Sequence, residues 1–114
     1  METVNIRYDK EEDILFLYKE QRPKGSIEIG DFVISFTEHM HNVTAVEILD
    51  ASKVLSTTFN TEITPDMLCH IQRAHIRTEH RRGRIAVLFG IAIKNMQQEQ
   101  AFASFIPLRR AVQV

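Results

Sequence analysis

The feature that most constrains this chain is an uninterrupted apolar segment at residues 85–93. It is too short to span a bilayer as a helix, and its Ile, Val and Phe content predicts a strand buried on both sides. Residues 99–108 predict a partner strand that Pro107 ends or places at a sheet edge. This hairpin is either central in a sheet or buried in a dimer, because an exposed apolar edge aggregates. The residues of one face form a possible self-association strand: Ile85, Val87, Phe89, Ile91 and Ile93.

Length and composition predict a single domain over residues 1–114. Hydrophobic residues make up 44% of the chain and charged residues 25%, which is ordinary globular composition, and the length is below that at which cores divide. The one cysteine, Cys69, excludes an internal disulfide and a four-thiolate zinc site. The first residues lack a secretory signal pattern. We therefore expect a soluble, cytoplasmic protein with no membrane partner.

Four short strands are predicted in the first half of the chain. Apolar and polar residues alternate over residues 4–8, and residues 14–18 are rich in aromatic and branched side chains, so the two segments predict a hairpin. Residues 32–36 and 43–49 predict a second hairpin. Proline and glycine in residues 21–26 indicate a loop between the hairpins. The expected arrangement is a four-stranded antiparallel meander.

Residues 65–82 carry the clearest periodic signal and predict the main helix. Thr64 suits the N-cap, Pro65 suits the first helical position, and Gly83 predicts the C-terminal cap. The apolar face of this helix holds Met67, Leu68, Ile71, Ala74 and Thr78. We expect this face to cover a sheet face built by Ile6, Phe16, Ile34 and Ile48.

The segment between the meander and this helix predicts less regular structure. Residues 50–55 predict a short helical turn capped by Asp50, and residues 56–63 predict an extended connection. Residues 56–114 therefore extend the meander by a helix and a hairpin. The predicted fold class is α+β: a four-stranded antiparallel meander, one main helix at about 65–82, and a C-terminal β-hairpin.

Three features of the first half resemble the domain of unknown function 2283 family. They are the turn at Tyr8 and Asp9, the second acid Asp13 before an apolar strand, and the closing stretch at residues 47–52. The resemblance covers residues 4–55. It implies a small β-meander domain with no assigned activity. It also implies an antitoxin-like partner role, because bacterial proteins of the family that this half resembles are often encoded beside small toxin-like proteins. The resemblance carries no catalytic residues to this chain.

A row of basic residues is the candidate anion-binding or nucleic-acid-binding face. Its members are Arg73, Arg77, Arg81, Arg82 and Arg84. Such a stripe can contact several phosphates. The alternative is a solvated helix whose C-terminal cations complement its dipole. A sequence pI of about 6.5 favours this alternative, because nucleic-acid-binding domains are usually more basic.

The charge is unevenly spread along the chain. Residues 1–50 carry a net charge of −6 and residues 51–114 a net charge of +5. This polarity indicates either an anionic partner for the second half or charge pairing within the fold or between copies.

The histidines, the cysteine and the acidic residues of the chain do not predict a complete metal-binding or catalytic site. His39 and His41 lie two residues apart and can ligate a metal, but two ligands do not make a site, and an exposed hairpin tip is the favoured interpretation. His75 is expected to be a buried, hydrogen-bonded histidine, and Cys69 a small packing residue. Residues 9–20 mimic part of a calcium loop but lack its glycine. No catalytic motif is present, so we expect no catalytic, metal-binding or cofactor-binding residues.

The leading functional hypothesis is a non-enzymatic protein–protein interaction module that forms a homodimer and has a possible protein partner encoded nearby. The second hypothesis is a nucleic-acid-binding or antitoxin-like regulator that uses the basic face. The third is an enzyme or metal protein that uses His39 and His41.

Overall fold

The computed structural model describes residues 2–37, 42–81, 84–95 and 98–109. Its fold class is α+β, as predicted. In chain order the elements are β1 (Glu2–Thr3), β2 (Asn5–Asp9), β3 (Ile14–Tyr18), β4 (Gly25–Ile29), β5 (Phe32–Phe36), β6 (Val43–Ile48), α1 (Ala51–Phe59), α2 (Pro65–Leu68), β7 (Ile71–Arg81), β8 (Arg84–Asn95) and β9 (Gln98–Arg109). No helix in these described ranges is long and apolar enough to cross a membrane.

The first half of the chain forms an antiparallel sheet of five strands in the order β2-β3-β6-β5-β4. The four predicted strands are present, and both predicted hairpins form. The sheet differs from the predicted meander in two ways. Strand β4 occupies part of the expected loop, because its residues alternate in burial and pair with β5. Strand β6 pairs with β3, so the pairing that joins the two hairpins is between strands distant in sequence.

Helix α1 is longer than the predicted turn and includes part of the expected extended connection. Leu55 is fully buried and Phe59 packs against the core; their spacing of about one helical turn places both on one face. Asp50 is the N-cap residue, but it has a left-handed backbone conformation (φ 49°) and its side chain makes no capping bond. Asp50 therefore has the predicted N-cap position, but it does not cap the helix with its side chain.

The predicted helix over residues 65–82 is also wrong. Its start signals are real: Thr64 Oγ1 accepts a hydrogen bond from the Met67 N–H (3.2 Å), and Pro65 begins α2. The helix ends at Leu68, and β7 follows. Arginines four residues apart lie on one face of a helix and also on one face of a strand, since four is an even number. Pairing with β8 and burial of Ala74 and Ile76 stabilise the strand over the helix.

The second half forms a sheet in the order β1-β7-β8-β9. The predicted C-terminal hairpin is confirmed: β8 and β9 pair antiparallel from Arg84 opposite Arg109 to Asn95 opposite Gln98. Strand β7 pairs with the other side of β8. The apolar segment at residues 85–93 is therefore central in its sheet, which is one of the two arrangements that its sequence predicts.

One core connects the two sheets and α1. The Phe89 ring is fully buried, and its centroid lies 5.9 Å from that of Phe32 and 6.2 Å from that of Phe59. Ile6, Ile34 and Ile48 face this core as predicted. Phe16 does not: it alternates with the buried Leu15 and Leu17 and therefore lies on the opposite face of the sheet. The inner face is covered by β7, β8 and α1 instead of the predicted helix.

Candidate functional site

The predicted basic row lies on a strand. Arg73, His75 and Arg77 alternate along β7, so they share one face of the sheet, and both arginines are exposed. Arg81 and Arg84 are paired neighbours at the end of the β7–β8 ladder; their side chains, and the whole of Arg82, lie outside the described residues. The structure therefore brings Arg73 and Arg77 onto one surface by strand alternation.

The charge of this surface is partly compensated. Arg77 Nη2 donates a hydrogen bond to Glu79 Oε1 at 2.6 Å. Glu79 is half-buried and follows Arg77 on the same face of β7. The surface is thus a mixed polar strip with a cationic excess, and an anionic ligand must compete with the Glu79 carboxylate for Arg77.

His75 packs across the sheet on Gly90. The two residues are opposite each other in the β7–β8 ladder, and a Cβ at Gly90 would lie 2.3 Å from His75 Cε1. Glycine is therefore needed for the ring to lie on the backbone of β8. Burial lowers the pKa of His75, and the positive charges of the N-terminus, Arg77 and Arg73 lower it further. His75 is half-buried on the arginine face of β7, whereas the sequence predicts a buried histidine.

The predicted self-association strand is inside the chain's own core. Its five side chains are each at most 2% exposed: Ile85, Val87, Phe89, Ile91 and Ile93. A second copy cannot contact them without unfolding the β7–β8 sheet. These residues hold the fold together, and self-association requires another surface.

The outer edge of β9 is such a surface. Strand β9 is 12 residues long and pairs with β8 along its whole length. It is the last strand of its sheet, and no strand within the described ranges pairs with its other side. The opposite edge differs, because β7 there carries the short strand β1. Within the described ranges, this edge of β9, with its alternating N–H and C=O groups, therefore has no strand partner.

The residues that carry the family resemblance meet in one hydrogen-bond network, which we call the Asp13 network. Tyr8 Oη donates to Asp13 Oδ1 at 2.7 Å, and Ser52 Oγ donates to Asp13 Oδ2 at 2.7 Å. The Ser52 N–H donates to Asp13 Oδ1 at 3.1 Å, and the Ala51 N–H donates to the Asp13 carbonyl at 2.8 Å. Asp13 therefore satisfies the first two amides of α1 from a turn 39 residues away in sequence.

The protonation states of the Asp13 network follow from these contacts. Burial raises the pKa of Asp13, but the hydrogen bonds from Tyr8 and Ser52 outweigh it, so the pKa of this carboxyl is below its ordinary value. Burial and the neighbouring Asp13 raise the pKa of Tyr8. Asp13 also has a positive φ of 56°, which Asp tolerates better than most residues. The network is a helix cap held by a charged carboxylate.

The outer face of the five-stranded sheet carries a surface that the sequence analysis missed. One register row, which we call the outer row, crosses all five strands and consists of Arg7, Phe16, Glu47, Val33 and Glu28. The ring of Phe16 lies 5.1 Å from that of Tyr18, which is two residues along on the same face. Phe16, Tyr18 and Val33 are only half-buried. Alternation along the predicted strands contained this signal, but Phe16 was assigned to the inner face.

The histidines and the cysteine considered as metal or thiol sites have separate outcomes. His39 and His41 lie outside the described residues. Within the described ranges, no group of three or more His, Cys, Asp or Glu residues is placed to hold a metal ion. Cys69 is exposed, so its predicted role in packing is wrong. An open depression of about 500 Å³ next to it is lined by His70, Ile71, Gln72 and Lys94.

No protein-family model matches this chain, and no curated protein or solved structure matches it either. The resemblance of residues 4–55 to the domain of unknown function 2283 family stays a prediction.

Proposed function

We propose that this chain is a non-enzymatic protein–protein interaction module that self-associates through the outer edge of β9. The observation that carries the proposal is the position of β9: a strand of 12 residues ends its sheet, and the described chain pairs only one of its two sides. Long unpaired edges are templates for pairing with another chain. Pairing of this edge satisfies backbone groups without exposing any core residue.

A second copy is the best occupant of this edge. Two β9 strands pair antiparallel about a two-fold axis, so each copy presents the same surface and the assembly closes as a dimer. The two four-stranded sheets then form one continuous sheet. The segment at residues 101–106 contains only one polar residue, Ser104. A strand of this composition promotes aggregation when one of its edges is left unpaired. Pairing removes both edges from solution.

Pro107 supports the assignment of β9 to an edge and provides a test. Proline cannot donate a hydrogen bond, yet Pro107 lies within the ladder opposite Ala86, so its nitrogen faces away from β8. Residues at even separations from Pro107 share this orientation. The N–H of Ala103 therefore points toward the outer edge, whereas that of Ser104 points toward β8.

The test compares proline at these positions by size-exclusion chromatography with light scattering at micromolar concentration. We expect the unmodified chain to be a dimer and Ala103→Pro to be a folded monomer, because this substitution removes an outward N–H from the middle of the edge, whereas Pro107 lacks one only near its end. Ala103→Val retains the N–H and is expected to remain a dimer, while Ser104→Pro is expected to destabilise the β8–β9 hairpin. A monomeric unmodified chain, or a dimer that persists in folded Ala103→Pro, contradicts the proposal.

A nucleic-acid-binding or antitoxin-like regulator is the second candidate function. It is supported by the exposure of Arg73 and Arg77 on one face of β7, about 13 Å apart along the strand. The ion pair of Arg77 with Glu79 and the pI of about 6.5 favour the interaction module. Salt-dependent binding of duplex DNA that is lost in Arg73→Glu/Arg77→Glu supports the regulator instead. For either function we propose a cytoplasmic location, since the single exposed thiol of Cys69 suits a reducing compartment.

A further inference from the structure

The outer face of the five-stranded sheet has the composition of a docking surface. Phe16, Tyr18 and Val33 form a half-exposed apolar strip, with Ala45 between Tyr18 and Ser35 in the neighbouring register row. Charged residues stand at both ends of the outer row: Arg7 on the edge strand β2 and Glu28 on the edge strand β4, both exposed. Half-buried apolar side chains with charged residues at the rim are typical of protein interfaces.

Glu47 lies in the middle of this surface, between Phe16 on β3 and Val33 on β5. Its side chain is half-buried, and among the described residues it has no hydrogen-bond or ion-pair partner. A carboxylate partly removed from water by apolar neighbours is stabilised by a cation that approaches from the open side. Within the described ranges no lysine or arginine forms an ion pair with Glu47.

We propose that the outer face binds a basic, apolar segment of another protein, and that an arginine of this segment pairs with Glu47 while its guanidinium lies on the Phe16 ring. Guanidinium groups bind carboxylates with two hydrogen bonds and also stack on aromatic rings, so arginine suits this site better than lysine. A second basic residue of the segment reaches Glu28, which lies two strands from Glu47, or about 10 Å. The net charge of −6 over residues 1–50 favours such a partner over an acidic one.

A second copy of the chain is a poorer occupant of this face. If two outer faces pack about a two-fold axis along the strands, Arg7 meets Glu28 and Phe16 meets Val33, but Glu47 meets the same residue of the other copy. Two carboxylates in a desolvated interface repel each other and leave both charges unpaired. The outer face is therefore a surface for a different protein, and its use is independent of the β9 edge.

The test is a titration of the ¹⁵N-labelled full-length chain with a synthetic amphipathic peptide that carries arginine and leucine on one face. A twin peptide with glutamate at every arginine position serves as the control ligand. We expect the arginine peptide to shift the amide signals of Phe16, Tyr18, Val33 and Glu47, and the glutamate peptide to cause no shift. Signals of β7 and β9 are expected to stay in place.

Matched variants then separate the role of Glu47 from general charge attraction. Glu47→Gln keeps the shape of the side chain and is expected to weaken binding about tenfold, as loss of one charge-assisted pair does. Glu62→Gln removes the same charge from an exposed loop position and is expected to leave affinity within about twofold. Unfolding in urea verifies that both variants are folded.

Three outcomes overturn the proposal. The first is equal affinity of Glu47→Gln and the unmodified chain, and the second is shifts confined to β7 or β9. The third is a dimer that becomes tighter in Glu47→Gln, since it shows that a second copy occupies the outer face. Loss of the β9 dimer in Ala103→Pro with unchanged peptide binding leaves this proposal intact, so the two proposals fail separately.

Discussion

The two sheets of this protein reach stability by different means. Strands of the five-stranded sheet have five or six residues, and the Asp13 network ties the β2–β3 turn to α1 through side-chain hydrogen bonds. Strands β7, β8 and β9 have 11 or 12 residues and are joined by long backbone ladders.

This difference shows where each half is sensitive to change. A short strand makes few ladder bonds, so its position depends on specific side chains. A long hairpin distributes its stability over many backbone bonds, and single side chains at its surface matter less. The exception is the core at which the halves meet, where Phe89 contacts both Phe32 and Phe59.

The largest effect is expected at this junction. Phe89→Ala removes a fully buried ring and leaves a cavity between the two sheets, so the free energy of unfolding should fall by about 3–5 kcal/mol. Urea denaturation measures the loss. Phe16→Ala on the outer face is the matched control, and it should cost about 1 kcal/mol because that ring is only half-buried. Similar losses in the two variants contradict the assignment of inner and outer faces.

The second effect tests the dependence of the first half on a side chain. Asp13→Ala removes the side-chain acceptor for Tyr8 Oη, Ser52 Oγ and the Ser52 N–H, and it should cost about 2–3 kcal/mol from the lost cap and the left-handed backbone. Asp13→Asn tolerates this backbone and keeps one acceptor oxygen, so its cost should be smaller.

Hydrogen exchange shows where the Asp13→Ala variant loosens. The amide of Ser52, which donates to the Asp13 carboxylate, should exchange much faster than in the unmodified chain, whereas those of Val87 and Phe89 should change only with global stability. Uniform acceleration across both sheets means that the halves unfold as one unit, which contradicts a separate dependence of the first half on the Asp13 network.

The smallest effect is expected in the pH dependence of the free energy of unfolding, to which each half contributes in a separate pH range. The pKa of His75 and that of Asp13 are both lowered in the folded state, so the unfolded chain binds more protons as pH falls and stability decreases. The contribution of His75 is complete above its ordinary pKa of 6.5 and decreases below it. That of Asp13 is complete above 3.8 and decreases below it.

Urea midpoints measured against pH resolve the two windows. His75→Gln should remove the decrease that begins near pH 6.5, and Asp13→Asn should remove the one that begins near pH 3.8, each without affecting the other window. Stability that rises when His75 becomes protonated contradicts the burial of its ring on Gly90.

Much of the strand content was predictable because alternation and branched side chains are local signals. Residues 14–18, 32–36 and 85–93 all form strands where the pattern places them. The pattern over residues 71–81 was ambiguous, since Arg73 and Arg77 share a face in a helix and in a strand alike. The outer row was missed for a related reason: its members come from five strands, and only the register brings them together.

The sequence by itself determined which short segments bury one face, because the spacing of apolar residues is a property of neighbours along the chain. It also contained every residue of the Asp13 network. Only the tertiary structure decided that β7 is a strand, that β6 lies beside β3, and that Asp13 caps a helix 39 residues away. The physical reason is that these features depend on the free energy of contacts between distant segments, which outweighs the weak local preference of each segment.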